Sequence, residues 1–189
     1  MTGTFRGPRP GAAAWIVAAV ATAAALTACS STPTDNVSDK LDSETATTVT
    51  VMEAPVELVS ETPRGTVGDP FAYVAPFETN QMGERALYLW ISAPQNGGPL
   101  AEPKLSCDGR LLSLQALPLD LAEFKLSRAP YTVPAPWSAQ WYFKLPQESL
   151  DCLGTAQGIA LETQAPQGDP VRFSASGKTL AALRAFAHH

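Results

Sequence analysis

The chain has 189 residues, of which 45% are hydrophobic and 16% charged, and its formal net charge is −5. A length in this range predicts one domain of roughly 100 to 200 residues. The apolar content suffices for a packed core, which excludes a chain that is disordered throughout. No run of Lys and Arg is present that could follow a phosphate backbone, so nucleic-acid binding is not expected.

Residues 1–28 carry the three-part pattern of an export signal. Arg6 and Arg9 give a positive start, and residues 12–26 are apolar apart from Thr22. This apolar run is too short to cross about 30 Å of hydrocarbon securely as a permanent helix. The pattern therefore predicts a leader that is cleaved from the chain.

The leader ends in Leu26-Thr27-Ala28-Cys29, which resembles the lipobox of bacterial lipoprotein signal peptides. This resemblance covers the leader alone, and it implies cleavage before Cys29 with acyl chains such as palmitate on the new N-terminus. Several acyl chains hold a protein to a membrane far more firmly than one. The alternatives are a plain secretory signal or an anchor helix that happens to contain a cysteine.

The residue after the lipidated cysteine is Ser30. In Gram-negative lipoproteins an aspartate there commonly retains the protein at the inner membrane. The resemblance therefore implies sorting of this chain to the outer membrane, facing the periplasm, if the host is Gram-negative.

Two cysteines remain once Cys29 carries lipid, and they are Cys107 and Cys152. An exported chain folds in a compartment that preserves disulfides, so we expect these two to pair. Closing 45 residues of chain would stabilise the fold by roughly 3 to 4 kcal/mol. The alternative is two buried free thiols, and the absence of a Cys-x-x-Cys motif argues against a thiol-disulfide oxidoreductase.

Residues 29–47 are predicted to form the lipidated cysteine and a disordered acidic tether. Few core-forming side chains occur there, and residues 30–61 contain seven acidic residues against the single base Lys40. A single domain is then predicted for residues 48–189.

Within this domain the periodicity of apolar residues predicts short strands separated by turns. Residues 85–92 are apolar on both faces, which is typical of a central strand. In 137–145 apolar and polar residues alternate strictly. The predicted strands are 48–53, 56–60, 71–77, 85–92, 104–107, 110–117, 137–145, 158–163 and 170–175.

Three local signals complete the expected fold. Asp108-Gly109 is the dipeptide typical of a two-residue hairpin turn, whereas residues 119–126 fit either a strand or a helix. Thr179 can cap a short C-terminal helix whose apolar residues recur every three positions. The sum predicts a mainly β protein, namely an antiparallel immunoglobulin-like β-sandwich or, alternatively, a small β-barrel, with a C-terminal helix. The order Cys107, Trp137 or Trp141, and Cys152 weakly resembles the Cys…Trp…Cys arrangement of immunoglobulin domains.

Catalytic and metal-binding chemistry is not expected. Both histidines, His188 and His189, end the chain, where a frayed terminus can hardly hold a catalytic base. The cysteines are committed to lipid and disulfide, which leaves too few ligands for zinc. The sequence therefore predicts no enzyme, no cofactor and no metal site.

Aromatic residues give the remaining candidate site. Tyr88, Trp90 and Tyr142 can point away from the predicted core faces, and exposed Tyr and Trp serve protein interfaces and sugar-stacking platforms. The alternative is that a second layer buries them. We therefore expect a non-enzymatic module that binds another envelope protein or helps a complex assemble, with a glycan- or small-ligand-binding module as the alternative.

Overall fold

The computed structural model describes Gly3 and residues 36–61, 71–95, 101–133, 135–164 and 170–189. Contacts divide the chain into two units, residues 1–31 and 32–189, and the following description concerns the second. Apart from Gly3, the predicted leader lies outside the described residues, as do Cys29, Ser30 and the turn expected at residues 166–169.

The described part of the chain contains eleven strands and two α-helices, which confirms a mainly β fold with a short C-terminal helix. Single 3-10 turns cover Leu121–Phe124 and Gly177–Leu180. The α-helices are α1 (Gln147–Thr155) and α2 (Ala181–Ala187). The strands are β1 (Val37–Asp42), β2 (Thr47–Met52), β3 (Val56–Ser60), β4 (Phe71–Gln81), β5 (Glu84–Pro94), β6 (Lys104–Cys107), β7 (Arg110–Leu111), β8 (Gln115–Leu117), β9 (Ser138–Lys144), β10 (Gly158–Gln164) and β11 (Pro170–Ser176).

All eleven strands belong to one antiparallel sheet with the order β7-β6-β10-β11-β3-β4-β5-β9-β8, and β1 and β2 branch from β4. The two end strands of this path, β7 and β8, are consecutive in the chain and only residues 112–114 join them. Four Cα steps span at most roughly 14 Å, so the sheet must curl until its ends approach. The result is a half-barrel, which is consistent with the predicted sandwich or barrel. Because all strands form one continuous sheet, the fold is closer to the small barrel than to the sandwich.

The sheet forks where β2 passes into β3. Both strands pair with the same edge of β4, but Val51 lies opposite Phe77 whereas Val56 lies opposite Val74. Four residues, 52–55, therefore face only two residues of β4, which is a bulge with two extra residues. Beyond the bulge the two strands diverge, so that β2 pairs with β1 and β3 pairs with β11.

Residues 36–47 differ from the predicted acidic tether. Residues 37–42 form β1 along the whole length of β2, and residues 43–46 form the connecting turn. Only Val37 of this strand packs against the core. An edge strand is held chiefly by backbone hydrogen bonds, so it needs few apolar side chains, and a composition poor in such side chains does not exclude it.

The core lies on both sides of the central strands. Every residue from Tyr88 to Pro94 in β5 is buried, which confirms the predicted central strand covered on both faces. Alternate residues of a strand point to opposite faces. On one face α2 packs against β2 and β4 and in turn contacts α1. On the other face the segment between β8 and β9 packs against the sheet through Phe124 and Tyr131. The helices contribute the buried side chains Leu150, Leu153, Leu183 and Phe186.

Candidate functional site

The three aromatic residues predicted as a binding surface are buried. Tyr88 is 9% exposed, Trp90 0% and Tyr142 2%. The predicted surface is therefore wrong, because the segment between β8 and β9 covers this face of the sheet. Two of its side chains, Phe124 and Tyr131, complete an aromatic cluster with the three predicted residues.

Ring contacts within this cluster are close and mostly edge-to-face or tilted. Tyr142 lies 4.8 Å from Phe124 between ring centroids, and Trp90 lies 5.3 Å from Tyr131. The indole Nε1 of Trp90 donates to Oε1 of Gln140 at 3.0 Å. Buried aromatic pairs of this kind contribute about 0.5 to 1.5 kcal/mol each beyond their buried area, so the cluster is a second core.

Tyr131 also replaces a backbone hydrogen bond at the fork. Continuing the register of β2 on β4 would place Met52 opposite Pro76 as the next hydrogen-bonded pair. Instead, the Tyr131 hydroxyl accepts from the Met52 N–H at 3.1 Å and donates to the Pro76 carbonyl. Burial raises the pKa of Tyr131 far above its ordinary value, so the hydroxyl keeps the proton that it donates.

The outer edge of β1 has no strand partner among the described residues. The N–H of Glu53 donates to the carbonyl of Asn36. This bond shows which residues of β1 and β2 form hydrogen-bonded pairs, since hydrogen-bonded and non-hydrogen-bonded pairs alternate along the ladder. Even-numbered residues of β1 therefore bond to β2, and the backbone groups of Val37, Asp39 and Leu41 point outward. This edge is six residues long, whereas the end strands β7 and β8 have two and three.

A cavity of about 310 Å³ adjoins this edge, between the β1–β2 hairpin and residues 126–130; we call it the edge pocket. Its apolar lining includes Val49, Val51 and Leu126, and its charged lining includes Lys40 and Arg128. The full lining is Lys40, Leu41, Asp42, Ser43, Glu44, Val49, Val51, Leu126, Ser127, Arg128, Ala129 and Pro130.

Asp42 of β1 forms hydrogen bonds with the segment 126–130, which lines the opposite side of the edge pocket. Its carboxylate accepts from the Ser127 backbone N–H at 2.6 Å and from the Ser127 Oγ at 2.8 Å. The backbone hydrogen bond from Ser127 is the main cause that lowers the pKa of Asp42. The carboxylate is therefore charged near neutral pH and already has hydrogen-bond donors.

A second cleft, of about 440 Å³, lies on the same face beside β9. Its lining is mainly apolar and includes Leu119, Leu121, Tyr131, Gln140 and Tyr142. Burial raises the pKa of Tyr142. Within the part of the chain that the structure describes, the Tyr142 hydroxyl donates no hydrogen bond, and Tyr142 lines this cleft although only 2% of the residue is exposed.

Cys107 and Cys152 form a disulfide, as predicted, with their Cα atoms 6.3 Å apart. The bond joins β6 to α1, whereas the disulfide of immunoglobulin domains joins two sheets. The immunoglobulin resemblance in the cysteine and tryptophan order therefore has no counterpart in this fold.

The chain ends in the two exposed histidines. His189 Nε2 lies 3.7 Å from Asp39 Oδ1, which makes a contact between the end of the chain and β1. Among the described residues no group of three or more His, Cys, Asp and Glu side chains is arranged to hold a metal ion. No helix in the described ranges has the length and apolar character needed to span a membrane.

The chain has no match among protein-family models, curated proteins or solved structures.

Sequence reasoning missed two parts of this region, the β1 edge and the role of Tyr131. A local signal existed for the edge, since Val37 and Leu41 are the two apolar side chains of a stretch that ends in Asp42-Ser43, and such a stretch can form a short strand before a turn. No local signal identifies Tyr131, because its partners Met52 and Pro76 lie more than 50 residues away.

Proposed function

We propose that this protein is a non-enzymatic envelope lipoprotein, anchored through acyl chains on Cys29, whose domain binds another envelope protein. The observation that supports the proposal is the outer edge of β1, which has no strand partner in the described ranges of the chain. Proteins usually shorten, charge or cover such edges because unpaired N–H and C=O groups pair with other chains. β1 carries the charged residues Asp39, Lys40 and Asp42, but it is not short, and no other strand among the described residues covers its outer edge. A six-residue edge suits a strand partner.

The position of this edge fits a membrane-anchored partner. β1 begins eight residues after Cys29, and eight residues span at most roughly 29 Å. On a lipidated chain, the edge of β1 therefore stays close to the bilayer. Ser30 supports an outer-membrane location facing the periplasm, where the partner would also reside.

Replacement of Cys29 by Ser tests the anchor. We expect Cys29→Ser to abolish labelling by a fatty-acid probe and to leave a precursor or a soluble periplasmic protein, because only the thiol accepts the diacylglyceryl group. Labelling and membrane separation on a density gradient measure both effects. Continued labelling of the variant would contradict the lipid anchor, and wild-type protein in the inner-membrane fraction would contradict the proposed location.

Photo-crosslinking in the cells that produce the chain tests the binding function. A photoreactive residue is placed in the full chain at one of three exposed positions, Leu41, Met82 or Leu119, which are 70%, 98% and 68% exposed. We expect a reproducible polypeptide adduct from at least one position. The absence of adducts from all three would contradict the protein-binding function.

The cleft beside β9 favours the second candidate function, binding of a glycan or small ligand. Its apolar lining and the Tyr142 hydroxyl suit a mainly apolar ligand that accepts one hydrogen bond. Native mass spectrometry of protein purified from the producing cells would detect such a ligand. In that case Leu121→Trp, which fills the cleft, should remove the added mass. An added mass that persists in the variant would exclude this cleft as the binding site.

A further inference from the structure

We infer that the outer edge of β1 and the edge pocket together bind an extended segment of another polypeptide. This segment pairs with β1, inserts one aliphatic side chain into the pocket and places an acidic side chain, two residues away, beside Lys40. The inference rests on the proposed protein-binding function and specifies its site and the chemistry of its partner.

The backbone of β1 defines the shape of the occupant. The N–H and C=O groups of Val37, Asp39 and Leu41 all point outward and repeat every second residue. An extended polypeptide backbone presents acceptors and donors with the same repeat, so it can satisfy several of these groups together. Hydrogen bonds of this kind provide affinity in strand addition, and neighbouring side-chain pockets provide specificity.

The edge pocket lies on the correct face for such a side chain. Lys40 and Asp42 point to the same face as Val49 and Val51, since they are register partners of Val49 and Thr47 in the ladder. An added strand would send alternate side chains to this face, next to the pocket. A cavity of about 310 Å³ is at the lower limit for small-molecule sites, which favours one side chain over a whole ligand.

Charge selects the neighbouring residue of the partner. Among the described residues Lys40 forms no ion pair, whereas Asp42 is bonded to Ser127 and Arg128 lies 3.9 Å from Glu44. Lys40 is therefore the cation available to a ligand on this face. Two residues along a strand return to the same face, so the acidic side chain is expected two positions from the aliphatic one.

A phage-displayed library of random heptapeptides, selected on the full chain, tests this inference. Leu41→Pro removes one outward N–H without breaking the β1–β2 ladder, because that N–H does not face β2. Leu41→Thr is the matched control, since it also removes the aliphatic side chain but keeps the N–H. Thermal unfolding midpoints of both variants that match the midpoint of the unsubstituted chain show that β1 remains folded.

We expect enriched peptides with an aliphatic and an acidic residue two positions apart, which bind Leu41→Pro at least tenfold more weakly than Leu41→Thr. Binding should slow hydrogen exchange of the Val37, Asp39 and Leu41 amides at least tenfold. Lys40→Glu should replace the acidic preference by a basic one. No enrichment, or equal binding to both Leu41 variants, would overturn the inference. If crosslinks then form at Met82 or Leu119 but not at Leu41, the protein-binding function still stands, but its site is not the edge of β1.

Discussion

The hydroxyl of Tyr131 joins two backbone groups that the fork keeps apart. The β2–β4 register ends at Val51 and Phe77, so the Met52 N–H and the Pro76 carbonyl, which would pair next, are linked through the hydroxyl instead of directly. In an antiparallel strand the two backbone groups of a residue face the same neighbour, and the Pro76 carbonyl faces the fork. One hydroxyl satisfies both the Met52 N–H and this carbonyl. Pro76 lies in neither the β2–β4 nor the β3–β4 register, so its missing N–H removes no ladder hydrogen bond.

Tyr131→Phe should lower the free energy of unfolding by about 1 to 3 kcal/mol, because it leaves a buried donor and a buried acceptor unsatisfied. Urea unfolding monitored by far-UV circular dichroism measures this change. Tyr142→Phe is the matched control, since it removes a hydroxyl that has no partner among the described residues, and its effect should be small. Equal stabilities of the two variants would contradict the bridging role.

The burial of Tyr142 illustrates why side-chain exposure could not be predicted from the strand pattern. The strict alternation in 137–145 correctly predicts β9, and Phe143 and Leu145 are buried as expected. Trp137, placed on the same face by the pattern, is 57% exposed because it precedes the strand. Tyr142 is on the opposite face, which the segment between β8 and β9 covers through Phe124, and the periodicity of a strand carries no information on what packs over it.

Elements were predictable where a local rule determines them. Asp108 and Gly109 have φ angles of 47° and 79°, which confirms the predicted two-residue turn. The C-terminal helix is confirmed, although it begins at Ala181 without a side-chain cap from Thr179. The ambiguous segment 119–126 contains only a 3-10 turn, and the predicted strand 110–117 is divided into β7 and β8.

Helix α1 was not predicted, and its contact with α2 explains an unusual residue choice. Gly154 is buried near the end of α1, where a methyl group built on it would lie 2.5 Å from Cβ of Ala187. The absent side chain lets the two helices approach closely. A glycine in a nine-residue segment is a weak helix signal, so local propensity could not reveal an element that depends on this packing.

Gly154→Ala should destabilise the protein by up to about 2 kcal/mol, since overpacking costs about 1 to 3 kcal/mol and better helix propensity returns up to about 1. In an Ala187→Gly background the methyl clash is absent, so the same change should stabilise by up to about 1 kcal/mol. Thermal or urea unfolding of the four proteins measures this reversal of sign. Additive effects of the two substitutions would contradict close contact between the helices.

The segment between the two disulfide cysteines, which are 45 positions apart, holds several parts of the molecule together. This segment contains β7, β8 and β9, so it brings the two ends of the curled sheet together. It also carries Phe124 and Tyr131, which cover the aromatic face, and Leu126, which lines the edge pocket. The predicted pairing of Cys107 with Cys152 was derived from residue counts and compartment, whereas the closure of the sheet depends on contacts that no local pattern encodes.

Because the disulfide closes this segment, its main effect should be on the unfolded chain. A loop of 45 residues loses entropy worth about 3 to 4 kcal/mol when closed. The double variant Cys107→Ala with Cys152→Ala should therefore be less stable by about this amount and should have a larger m-value in urea, since its unfolded chain is more expanded. Wild-type protein unfolded in the presence of a reductant is the matched control, because it lacks the crosslink but retains the buried sulfur atoms. The two should differ only by the packing of those atoms, and a reduced protein as stable as the oxidised one would contradict a stabilising role for the crosslink.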